Sequence, residues 1–157
     1  MSLRAESSAR PASVTATASL ARVRRGSLAA LVLLVVQYGI GMYVNLYVTV
    51  PRGDHGSGLG SAIANGPAML SSHAVLGLAF ALVAIGVLVQ AVMARHRGAI
   101  VSSALGLLAL ASASAAGAGF TSSGDAGASM GMAVMTGVAL LCYAVNLYGL
   151  PLVHRDQ

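Results

Sequence analysis

A chain of 157 residues that is 57% hydrophobic and only 8% charged cannot cover a water-facing surface, since soluble domains carry about 25% charged residues. Its formal net charge of +5 rests on nine arginines, with no lysine, against Glu6, Asp54, Asp125 and Asp156. The arginines flank apolar runs, which points to helix orientation and anionic lipid and away from nucleic acid as a partner.

Residues 1–24 are rich in Ser, Ala and Arg, include Pro11, and show little periodicity, which predicts a flexible cytoplasmic tail. The membrane domain is expected over residues 25–151. Its first span, about residues 27–50, has an apolar run longer than a secretory signal core and no A-x-A cleavage site, so it reads as a retained signal anchor. The second span, about 68–94, begins after Pro67, a favoured first-turn residue. Arg95-His96-Arg97 form a short turn, with His96 expected to be solvated. A third span of small residues covers about 99–120, and TSSGDAG leads to a fourth at about 128–150, stopped by Pro151. Residues 152–157 are a second tail. The outer-loop sequence GSGLG precedes no Rossmann helix and reads as loop, RGD at Arg52–Asp54 as a solvated helix exit, and Asp54-His55 as too few ligands for a metal.

With the N-terminus inside, Arg4, Arg10, Arg22, Arg24, Arg25, Arg95, Arg97 and Arg155 are cytoplasmic and only Arg52 lies outside. That bias predicts both termini in the cytoplasm of a multi-pass protein of the inner (plasma) membrane. The tetrapeptide VNLY occurs at Val44–Tyr47 and again at Val145–Tyr148, near the ends of the first and fourth spans. Those spans run in opposite directions, so the two copies belong at opposite membrane faces. Each is helix-end chemistry rather than half of a shared site.

Lipid tails are as apolar as leucine, so helix association needs close packing or polar contacts. Small residues four apart supply the first: His73, Gly77 and Ala81 in span two, and Ala109, Ala113 and Gly117 in span three. Spans two and three are therefore expected to pack most closely in an all-α four-helix bundle. Cys142, alone of its kind, excludes an internal disulfide within the monomer and serves as a small packing residue.

Span one carries a polar ladder, Gln37, Gly41, Asn45 and Thr49, on one helical face. An amide facing lipid is costly, so the ladder is expected to point inward and bond to neighbouring helices. His73 is the only histidine within a span and lies about 9 Å from its outer end at helical rise, near the depth of Asn45, Ser129, Met132 and Met135. An ionisable residue inside a membrane raises a functional question by default. The simplest answer is a structural histidine bonded to another helix. The competing answer is an axial ligand of a b-type haem, with Met130, Met132 or Met135, or the His73 of a second copy, as the other ligand.

No Asp or Glu lies within a span, which argues against proton coupling through a membrane acid. No serine–histidine–acid set or metal-protease motif marks an enzyme. GMYVNLYVTVP, SSHAVLGLAFAL and GAGFTSSGDAGASMGMAVM resemble small four-span membrane proteins of high-GC Gram-positive bacteria over about Leu31–Gly149. That resemblance implies the architecture and no established activity, and its shared positions are Asn45, Pro51, His73, Gly77, Asp125, Ser129 and Met132. A looser likeness to half of a haem A synthase transfers no residues. Three readings follow. The first is a structural or interaction component of the membrane, needing no cofactor, as a homo-oligomer or part of a larger complex. The second is a haem b protein using His73 with Met132 or Met135. The third is an accessory subunit that binds a small molecule or lipid.

Overall fold

The computed structural model describes residues 10–48 and 59–150. They form α1 (Arg10–Tyr47), a short α2 (Leu59–Asn65), α3 (Ala68–Met93), α4 (Arg97–Ser123) and α5 (Ala126–Tyr148). Among the described residues, four helices are long and apolar enough to cross a bilayer: α3, α4, α5 and the Ala18–Tyr47 part of α1. By length and composition this is a multi-pass membrane protein.

Helix boundaries follow local chemistry. Pro67 precedes α3, where its missing N–H is harmless. Gly124 ends α4 in the left-handed conformation at φ 67° that glycine adopts without strain. Asp125 then starts α5, its carboxylate accepting from the backbone N–H groups of Gly127 and Ala128, each at 3.2 Å. The expected solvated role of His96 is replaced by a capping one. Half-buried, it accepts from the N–H of Ala99 through Nδ1 at 3.2 Å, while Arg95 turns the chain at φ 52°. Two further differences concern extent. α1 is already helical at Arg10, within the stretch expected as a tail, and the segment between the first two spans contains α2. Alanine, which favours helix, fills much of residues 12–21.

The four long helices form a closed ring in which α1 and α4 each pack on both α3 and α5. Chain neighbours run antiparallel. The closest pairs are α4 with α5 and α1 with α3, which corrects the expectation that spans two and three would pack most tightly. The small residues of α4 serve α5 instead. A Cβ on Gly106 would lie 3.0 Å from the Tyr143 ring, and the Ser102 hydroxyl donates to the Cys142 carbonyl at 2.6 Å. On the other pair, a Cβ on Gly26 would meet Val87 at 2.8 Å. Bare backbone at these points is what lets the helices approach.

One end of the bundle is filled largely by buried side chains. Phe80 and Tyr143 meet edge to face at 6.0 Å with Val23, Leu34, Ala84 and Val87 buried around them. Asn146 donates through Nδ2 to the Ser103 hydroxyl at 2.8 Å in the same half. The other end contains the site.

Candidate functional site

Gln37 and Gly41, one turn apart on α1, face His73 and Gly77, one turn apart on α3. The contacts are reciprocal. A Cβ on Gly41 would lie 3.0 Å from Cε1 of His73, and one on Gly77 would lie 3.2 Å from Nε2 of Gln37. Each polar side chain thus lies across a glycine of the other helix. Gln37 Nε2 donates to the His73 backbone carbonyl at 2.7 Å, which fixes the amide orientation and leaves Oε1 buried without a partner. Only the nitrogen of an amide can donate to a carbonyl. The small–xxx–polar spacing on both helices is therefore one interlock.

Beyond it lies a chamber of about 260 Å³ walled by all four long helices. Gln37, Asn45, His73 and Met132 all line it. Met135 does not, and Thr49 lies outside the described residues. Asn45 is not the direct neighbour of His73. The imidazole lies across Gly41, while Asn45, a turn further on, accepts at Oδ1 from the Ser129 hydroxyl at 3.2 Å. The two VNLY asparagines consequently each meet a serine of another helix, at opposite ends of the bundle.

Sequence reasoning missed Ser114, Thr121 and Thr136 on the wall. Their hydroxyls donate back into their own helices, Ser114 to Leu110 at 3.0 Å, Thr121 to Ala118 at 2.9 Å and Thr136 to Met132 at 2.8 Å. Such back-bonding satisfies a hydroxyl without any partner helix, so no interhelical pattern announces it. The remaining wall is mostly apolar. Tyr38 and Met42 on α1 and Leu78 on α3 line the chamber and are also exposed, so its wall is continuous with the lipid-facing surface.

Five buried polar side-chain atoms lack a partner among the described residues: Ser27 Oγ, Gln37 Oε1, His73 Nδ1, Gln90 Oε1 and the Tyr143 hydroxyl. Only Gln37 and His73 belong to the chamber. Within the described residues no group of three or more His, Cys, Asp or Glu is placed to hold a metal ion. The donor set for a haem would be His73 and Met132, but the fit is poor. The Met132 sulfur packs at 3.2 Å from where a Gly117 Cβ would stand. The chamber is also smaller than the roughly 300–1,000 Å³ of pockets that enclose drug-sized ligands, and a tetrapyrrole is larger than most of those.

Comparison of the chain with protein-family models, curated proteins and solved structures found no match. The functional reading therefore rests on the chamber itself.

Proposed function

We propose that this protein is a membrane-embedded binding component that holds one small, largely apolar molecule inside its bundle. The observation that carries this reading is the chamber at one end, lined by all four long helices and partly open to the lipid-facing surface, with His73 on its wall. A bundle held together by packing alone closes its voids, because each void forfeits dispersion contacts. An apolar space with a few placed polar groups is the general form of a small-molecule site.

The exposed residues on its wall favour a ligand that arrives through the bilayer, not from water. The arginine distribution supports a plasma-membrane protein with both termini in the cytoplasm, which puts the chamber in the outer half of the membrane. The resemblance to four-span proteins of high-GC Gram-positive bacteria agrees with that setting. In this reading the protein serves as an accessory subunit or a homo-oligomer.

The test is to purify the protein in lipid nanodiscs and identify retained small molecules by mass spectrometry. Ala81→Leu and Ala133→Leu each add bulk to the chamber wall. Wild type is expected to retain a defined molecule that both variants lose while staying folded. Equal retention by all three proteins would overturn the proposal.

A further inference from the structure

The imidazole of His73 has two unlike nitrogens. Nδ1 is buried against α1 and meets no partner. Nε2 forms no hydrogen bond either, but it is not buried, and the ring lies on the chamber wall. A neutral imidazole carries its proton on one nitrogen and a lone pair on the other. A buried N–H with no acceptor is the rarer and costlier kind of orphan, whereas a lone pair facing packed atoms is better tolerated. The proton accordingly belongs on Nε2, where it faces open space.

The second polar group on the wall has the same sense. Asn45 uses Oδ1 to accept from Ser129, which leaves its Nδ2 hydrogens without a partner among the described residues. The hydroxyls of Ser114, Thr121 and Thr136 have given their only protons to their own helices and can now only accept. The free donors on the wall are thus the N–H groups of His73 and Asn45, while Gln37 Oε1, the unpartnered amide acceptor there, is itself buried.

We infer that the bound molecule is a bilayer-dissolved carbonyl compound whose oxygen accepts a hydrogen bond from His73 Nε2–H. This rests on the binding role proposed above and specifies its chemistry. A carbonyl oxygen accepts and does not donate, which matches an N–H at His73 Nε2. Two kinds of membrane molecule carry such a group on an apolar body: quinones and carboxylic esters.

Three probes of matched chain length separate the cases in nanodiscs: an alkyl-1,4-benzoquinone, an alkyl benzoate ester and an alkylbenzene. Thermal stability and equilibrium binding are measured for each. At least one carbonyl probe is expected to bind about tenfold more tightly than the alkylbenzene, the increment of one well-made buried hydrogen bond. Whichever does so identifies the source, and its carbonyl infrared band should move to lower wavenumber on binding. His73→Leu should erase both the affinity difference and the band shift. His73→Gln, which keeps a donor, should retain part of each and guards against a mere folding defect.

Equal binding of all three probes would overturn the carbonyl assignment and leave the binding role intact. A carbonyl preference that survives in folded His73→Leu would also overturn it. Binding of none of them, with no molecule retained from the cell membrane, would remove both proposals together.

Discussion

Asn45 and Asn146 occupy the same place in two copies of VNLY, yet their surroundings differ. Asn146 is buried and bonds to Ser103 at 2.8 Å, while Asn45 is exposed and bonds to Ser129 at 3.2 Å. Polar contacts between membrane helices average about 0.6 kcal/mol and reach about 1.7 kcal/mol. Asn146→Ala is expected near the upper figure, because it also strands the Ser103 hydroxyl in a dry interface. Asn45→Ala should fall at or below the average. Unfolding titrations in mixed micelles measure both, and a double-mutant cycle with Ser103→Ala should recover most of the Asn146 effect as coupling. That Gln37, Gly41 and Asn45 share one face was readable because four-residue spacing holds a face of a helix, although Asn45 is exposed. That His73 would meet Gly41 rather than Asn45 was not, since the offset between two helices depends on their packing and leaves no periodic trace.

At the scale of elements, the TSSGDAG segment shows how a boundary is written in sequence. Gly124 ends one helix and Asp125 begins the next, with no residue between them. The Asp125 carboxylate satisfies two N–H groups of α5 and places negative charge at the positive end of the helix. Asp125→Ala is expected to lower stability by about 1 kcal/mol. Asp125→Asn should restore most of it, because it keeps an oxygen acceptor, and thermal melts of the pair in one detergent decide the point. Span positions were legible to within a few residues for α3, α4 and α5, since long apolar runs bounded by Pro, Gly and Asp leave few alternatives. The pairing of helices was not. Besides Ala109, Ala113 and Gly117, α4 carries Ala104, Ala111, Ala115 and Ala118 on its exposed side. With small residues all round, composition cannot tell which face receives a partner.

For the whole molecule, the antiparallel ring places the Arg95–Arg97 turn at the filled end and the α4–α5 turn at the hollow end. The arginine bias then predicts which end faces the cytoplasm. In a Cys142→Ser background, Ser123→Cys should react with a membrane-impermeant maleimide on intact cells. Gly98→Cys should react only after the membrane is opened. The reverse pattern would invert the topology and place the chamber in the inner leaflet.

The contrast between the two halves also has a mechanical side. Close-packed interiors barely compress, whereas enclosed voids are what applied pressure works against. In this bundle the Phe80 and Tyr143 rings pack together in one half, and the half around Gly41 and His73 has room to yield. Tighter chain packing in the leaflet beside His73 would squeeze the site directly, and the same change in the opposite leaflet would press on the half around Phe80 and Tyr143.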